Sequence, residues 1–404
     1  MAVLAGRSFV PRRRTPLHDW HVTHGAELLL ADEWERPAFY KTGHDRESTI
    51  ADEVRAVRQR VGVIDVGTLG KIEVVGRDAA AFLERVYTGR FAEQRVGSSR
   101  YALMCDESGV IIDDGIVSRF AQDRFYVTTT TSASASVYRE LQRWALCFAS
   151  DVGPVGTTNL TGSLTAWNLA GPDAPALLAR VADDAGAVRS LPYLGAVETT
   201  LRGLPVRVIR AGFVGEIGYE LHLPVTSALF LWDLLMGVGA DSGLVPFGVE
   251  AQRVMRLEKG HLILGQDTDA LAYPHEVGLG WAVKHDKPFF VGQRSLRIRT
   301  ATPPARALVG FELLPHAARA NDDAVRECNL VMQGGGKAIA GRVTSVVRSP
   351  TLGKTIGLAF VAPAQQAPGS TFAIRVSRGH HVEARVVPTP FYDPSNARQR
   401  QAVA

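Results

Sequence analysis

Two carboxylates stand out by type and place. Glu220 lies in the stretch from Arg210 to Leu223, RAGFVGEIGYELHL, whose three glycines, Gly212, Gly215 and Gly218, mark a turn between two strands. Strand alternation puts Tyr219, Leu221 and Leu223 on one face and Glu220 on the other, beside the turn. A carboxylate there is either ordinary solvated surface or a fixed pair of acceptors for a planar donor edge, such as the N–H and amino group of a pterin or a guanine. Asp114 belongs to a hairpin from Arg100 to Val117, with an Asp-Glu-Ser-Gly turn at 106–109. In its returning strand Asp113 and Asp114 point to opposite faces, and Asp114 shares that of Ile112 and Ile116. A carboxylate on an apolar strand face is costly unless a turn or salt bridge pairs it, or chemistry uses it.

The elements that must hold these groups are legible around them. Helical patterns cover Asp52–Gln59, Arg77–Tyr87, Ser132–Ala149 and Ser227–Val238, and another begins at Pro246 and ends at Gly260. Strand, Gly-x-Asp and helix occur twice, at Gly76-Arg-Asp and Gly171-Pro-Asp, which predicts duplicated α+β units rather than a parallel doubly wound sheet. After a Thr302-Pro-Pro-Ala linker, short strands at Arg306–Glu312, Gly341–Ser345, Ile356–Val361 and Thr371–Val376 predict a small antiparallel β-barrel. The expected division is a leader at 1–14, two-unit domains at 15–299, a linker at 300–304 and a barrel domain at 305–404. Gly334-Gly-Gly is read as a turn, and no Gly-x-Gly-x-x-Gly follows a strand, so neither a flavin nor a nicotinamide site is visible.

Composition narrows the classes. The 404 residues carry a formal charge of +4 and no basic tract beyond Arg12–Arg14, which argues against nucleic-acid binding. Cys105, Cys147 and Cys328 are odd in number and lack metal spacing, so reduced thiols are expected. His18, His21 and His24 fall three apart but have no acidic or cysteine partner nearby, and no metal is expected. No run is long enough to span a bilayer and no signal sequence is evident, so no membrane partner and a cytoplasmic location are expected.

The stretch around Glu220 resembles the G-Y-T-G-E-x-G-Y/F-E signature of the aminomethyltransferase (glycine cleavage T-protein) family. Arg14-Thr-Pro-Leu, Gly265-Gln-Asp-Thr-Asp, Pro274-His-Glu-Val-Gly-Leu and the block from Gly341 to Gly357 resemble further family motifs in the same order. Asp65-Val-Gly-Thr-Leu-Gly-Lys, standing where the family has V-S-H-M-G, and the ending Pro388–Pro394 look more like the folate-binding half of the sarcosine oxidase alpha subunit. Gln252 stands where the family's Gly-x-Ala-Arg-Asp has its Arg, which weakens a claim to glycine cleavage itself.

The resemblance implies a T-protein fold and a tetrahydrofolate-dependent one-carbon transferase. Such an enzyme would demethylate an N-methyl amine such as sarcosine, yielding 5,10-methylenetetrahydrofolate, alone or beside flavin-containing oxidase subunits. Asp114 would act near the reactive folate nitrogens. Glu220, Tyr101, Phe213, Gln252, Arg256 and Trp281 would bind the cofactor. Arg256 has two readings, a lock between helix and site or a partner for the acidic folate tail, while Arg256 and Glu258 as plain exposed ions remain a third. Trp281 either stacks on the aminobenzoyl ring or is a core residue. A non-catalytic scaffold on an oxidoreductase, and methyl transfer from a sulfonium or methoxy donor, are the alternatives.

Overall fold

A computed structural model describes residues 12–315, 324–333 and 338–402. The first part of the expected leader and the Gly334-Gly-Gly turn lie outside them.

The chain begins with α1 (His18–Thr23), a hairpin of β1 (Ala26–Ala31) and β2 (Trp34–Tyr40), α2 (Arg46–Gln59) and β3 (Gly62–Asp65). Asp45 caps α2 by accepting from the backbone N–H of Glu47 and Ser48, so the helix starts six residues before the expected Asp52. Then the duplicated unit appears. Its first copy is β4 (Gly70–Val75), α3 (Ala79–Val86), β5 (Ser98–Cys105), β6 (Ile111–Ala121), β7 (Arg124–Thr129) and α4 (Ser134–Cys147). A short α5 (Ala149–Val152) and β8 (Gly156–Asn159) follow. The second copy is β9 (Leu164–Ala170), α6 (Ala174–Val181), short α7 (Ala185–Arg189), β10 (Ala196–Leu201), β11 (Leu204–Ile209), β12 (Gly218–Pro224) and α8 (Ala228–Gly239).

The two copies order their strands alike. The five-stranded sheet runs β5-β6-β7-β4-β8, and the six-stranded sheet runs β10-β11-β12-β9-β3-β13, where β13 is Val245–Pro246. In each copy a glycine of positive φ, Gly76 at +143° and Gly171 at +127°, turns the chain from the first strand into its helix. At Gly171 a Cβ would come within 2.4 Å of the Arg60 carbonyl oxygen, so the turn requires glycine.

Each sheet buries one face under its own helices. In the first, Ile72, Val74, Val117, Phe125 and Val127 pack on Phe82, Leu83 and Val86 of α3 and Val137 and Leu141 of α4. In the second, Trp167, Leu169, Tyr219, Leu221 and Leu223 pack on Leu177 and Leu178 of α6 and Leu231 and Trp232 of α8. The remaining faces meet each other, with Tyr126 and Ile116 of one sheet clustered on Ala196, Ile209 and Ala211 of the other or its edge. The polar residues that alternation throws away from the helices therefore line an interface between sheets.

After α9 (Val249–Glu258) and α10 (Gln293–Thr300) comes the barrel. Its strands are β14 (Ala307–Leu313), β15 (Leu330–Gln333), β16 (Ala338–Arg348), β17 (Thr355–Val361), β18 (Thr371–Arg375) and β19 (His381–Val387), closed in the order β14-β17-β16-β15-β18-β19. Closure leaves no sheet edge open, and it needs two strands more than the four expected from the turn signals. A last turn, α11 (Ala397–Arg400), ends the described chain.

α9 sits between the sheets and the barrel. Five successive residues, Val254 to Glu258, are buried, so the helix has no continuous solvated face over its second half. Leu257 packs on Ile356 and Leu358 of the barrel, and Met255 and Val254 pack on the side of Val57 and Phe247. The reading of Arg256 and Glu258 as exposed ions fails here, because both are essentially inaccessible, at 1% and 0% exposure.

Candidate functional site

Glu220 stands on β12 opposite Ile209 of β11 and Asn168 of β9. Of its turn's three glycines only Gly215 has positive φ, at +87°. At Gly218 a Cβ would lie 3.3 Å from the Ala211 carbonyl oxygen, a tight approach that a small shift of the neighbour would relieve. The Glu220 side chain is 14% exposed, so it is not the solvated surface group that its polar strand face allowed. Oε2 lies 3.1 Å from Nε2 of His222, two residues on along the same face. Oε1 takes no hydrogen bond among the described residues.

His222 is buried, and its Nδ1 lies 3.0 Å from the hydroxyl of Tyr126 on β7, in the other sheet. Burial, with Lys71 and Arg207 nearby, holds the imidazole below its usual range against the opposing pull of Glu220. Lys71 is fully buried and donates to the carbonyls of Gly67 and Leu69 at 2.9 and 2.7 Å. Burial pushes its ammonium down to about 8, opposed by Asp65 and Glu220. Arg207 bridges the sheets, pairing with Glu73 of β4 at 2.7 Å and with Glu198 at 3.1 Å while lying 4.7 Å above the Tyr126 ring.

Asp114 lies on the inner face of the first sheet, two residues from Ile116, which packs in the interface cluster with Ile209. The tyrosine hydroxyl of Tyr101 donates to its Oδ2 at 2.8 Å. Burial raises the Asp114 carboxyl to about 6, with the Tyr101 hydrogen bond opposing. Next to it Gly115 lets β7 press in, since a Cβ there would fall 1.9 Å from the Thr128 carbonyl oxygen. Its neighbour Asp113 is the more buried of the pair, at 3% exposure, and accepts from the Thr130 hydroxyl at 2.6 Å and its backbone N–H at 3.2 Å. Burial first, then the adjacent Asp114 charge, raise Asp113 to about 8.

Aromatic surface flanks this pair. The Trp281 ring lies 5.2 Å from that of Tyr101, inclined at 35°, and Trp281 is 62% exposed. It is therefore not a core tryptophan. Phe213 stacks on His261 at 5.5 Å, and His261 Nδ1 donates to the Phe213 carbonyl at 2.8 Å. Gln252 is half-buried on α9, and its side chain makes no hydrogen bond among the described residues.

Arg256 is the residue whose surroundings separate it from the rest. Its guanidinium donates to Asp267 and Ser345, the latter at 2.7 Å, and to the His261 carbonyl at 3.0 Å. Asp267 in turn accepts from Thr344 of β16 at 2.7 Å. These partners tie α9 to the 261–267 segment and to β16 of the barrel. The spaced histidines do have acidic partners, brought from elsewhere in the chain: His21 joins Asp65 at 3.1 Å and Tyr40 at 2.8 Å, and His18 lies 3.6 Å from Glu35, while His24 stacks on Trp20 at 3.8 Å.

Sequence reasoning singled out Glu220 and missed His222 and Tyr126. His222 carried a signal, being two residues from Glu220 on one strand face. Tyr126 carried none, because its contact crosses between sheets whose pairing no local pattern gives.

The residues thus assembled sit in a chain with clear relatives. Residues 17–287 match the GCVT N-terminal domain, and residues 306–393 match the glycine cleavage T-protein C-terminal barrel domain. The sarcosine oxidase alpha subunit of Corynebacterium sp. (strain U-96) is 33% identical over 98% of this chain, which spans only 42% of that subunit. The aminomethyltransferase of Halothermothrix orenii is 33% identical over 94% of this chain and 99% of its own length. The crystal structure of glycine cleavage system aminomethyltransferase T from Bartonella henselae superposes with a TM-score of 0.83, at 24% identity, over 95% of this chain and 98% of its own. With both domain models matched in order and a relative of its own length at that identity, the chain belongs to the aminomethyltransferase (glycine cleavage T-protein) family.

Proposed function

We propose that the chain is a tetrahydrofolate-dependent one-carbon transferase, working at the formaldehyde level in the demethylation of an N-methyl amine such as sarcosine. The observation that carries this reading is the Glu220 carboxylate, held through one oxygen by His222, with the other oxygen free, on the inner sheet face. That arrangement fits a flat ligand edge with two adjacent donors, which a reduced pterin presents. Tetrahydrofolate, when bound, supplies the secondary amines that accept the one-carbon unit.

The protein's own contribution is positioning and proton handling. Glu220 holds the pterin edge, and Tyr101 and Trp281 offer an aromatic surface to the remainder. Asp114, its carboxyl raised to about 6, is ionised at neutral pH yet basic enough to accept a proton, and Tyr101 keeps it in one orientation. Phe213, stacked on His261, and the Gln252 side chain are assigned to the same ligand.

The similarity to the sarcosine oxidase alpha subunit supports work beside flavin-carrying oxidase subunits that oxidise the amine. The same observation favours the second reading, a scaffold that assembles on an oxidoreductase without turnover. Formation of 5,10-methylenetetrahydrofolate from an oxidised N-methyl amine separates the two. The transferase reading requires that Asp114→Asn slow product formation by about 10² to 10⁴ while leaving tetrahydrofolate bound. Equal product with and without the chain present would reject it.

A further inference from the structure

The inner faces of the two sheets hold a second device, which rests on the pterin reading of Glu220. The His222 ring has one neighbour at each nitrogen: Glu220 at Nε2 and the Tyr126 hydroxyl at Nδ1, at 3.1 and 3.0 Å. A neutral imidazole offers one donor and one acceptor, and an ionised carboxylate only accepts. Nε2–H must then donate to Glu220, which leaves Nδ1 to accept from the Tyr126 O–H. The groups facing the ring agree with this order. Lys71 from β4 and Arg207 from β11 are cationic and disfavour a second ring proton, Glu73 is occupied by Arg207, and Tyr126 keeps its proton because burial raises its hydroxyl. The ring is also fixed sterically, meeting the Tyr126 ring edge-on at 5.3 Å and 84°.

We propose that His222, oriented by Tyr126, is a positioning residue that locks the Glu220 carboxylate in one plane as an acceptor and so sets the affinity of pterin-edge binding. The relay runs Tyr126 O–H to His222 Nδ1, then His222 Nε2–H to Glu220 Oε2. It ties the ligand-holding residue of one sheet to the sheet that carries Asp114.

The test is calorimetric titration of the full chain with tetrahydrofolate under reducing conditions, in four variants checked for folding by thermal melting. His222→Leu removes the donor and is expected to weaken binding roughly tenfold to hundredfold. His222→Gln, which places an amide N–H near the Nε2 position, should restore most of that affinity. Tyr126→Phe, which deletes one hydroxyl and keeps the packing, should weaken binding several-fold. Wild-type affinity in His222→Leu, with binding lost in Glu220→Ala, would overturn the relay and leave the site standing. Should His222→Leu not fold, unchanged affinity in Tyr126→Phe overturns it equally. Undiminished binding by Glu220→Ala would overturn the site and the relay together.

Discussion

At the scale of single residues, the two neighbouring aspartates separate by environment. Strand alternation correctly sends them to opposite faces, and Asp114 shares its face with Ile116 as expected, but a bulge opposite Met104 and Cys105 turns Ile112 to the helix side with the core of the first sheet. What alternation cannot tell is that the other face is the drier one, because that depends on which helices cover it. Asp114, raised to about 6, is expected to give a rate that rises through about pH 6 to a plateau, since the proton acceptor works only when unprotonated. Asp114→Asn should lower kcat by about 10² to 10⁴ and remove that rise, as read in a pH profile of product formation. Asp113 predicts a stability effect of definite sign. Its folded carboxyl is raised from the ordinary 3.8 to about 8, so the folded state holds the proton more tightly than the unfolded chain. Its contribution is therefore full below about pH 4 and is lost as pH rises through about 8. Asp113→Asn, which can still accept from Thr130, should show a smaller fall in Tm across that window than wild type does; an identical fall would contradict this.

At the scale of elements, the glycine turn before β12 is held by a buried hub that no local pattern discloses. Arg58 of α2 donates to Glu258 of α9 at 2.6 Å, to Glu216 of the turn at 3.0 Å and to the Val214 carbonyl at 2.7 Å, with its guanidinium 4.1 Å from the Tyr392 ring. Tyr392 donates to Glu216 at 2.7 Å and Arg398 pairs with it at 3.1 Å, so the chain's last described turn straps the loop that presents Glu220. Arg58→Leu leaves two buried carboxylates without their common partner and should cost about 3 to 5 kcal/mol of stability by chemical denaturation. Arg55→Ala, an exposed pair on the same helix, should change it by about 0.5 kcal/mol or less. The sequence made the helices, the duplicated strand-glycine-helix passages and the β-rich end legible because those are local periodicities. It left Glu216 unread and allowed Glu258 as an exposed ion, because their burial comes from contacts up to 200 positions apart.

At the scale of the whole molecule, two sheets have their helices outside and polar residues between them, and the proposed site draws Asp114 from one copy of the unit and Glu220 from the other. The barrel is fastened onto this body through Arg256, Asp267, Thr344 and Ser345. If that is the business of Arg256, then Arg256→Leu should lower stability by about 3 to 5 kcal/mol and leave tetrahydrofolate affinity of the folded protein within about threefold. A selective loss of affinity would return Arg256 to the ligand. Whether Glu220 holds a two-donor pterin edge is decided by calorimetric titration of the purified chain with tetrahydrofolate, side by side with Glu220→Ala. Wild type is expected to bind and the variant to lose on the order of 2 to 5 kcal/mol, the cost of deleting a desolvated charged contact. Equal binding by both proteins, or none by wild type, would contradict it.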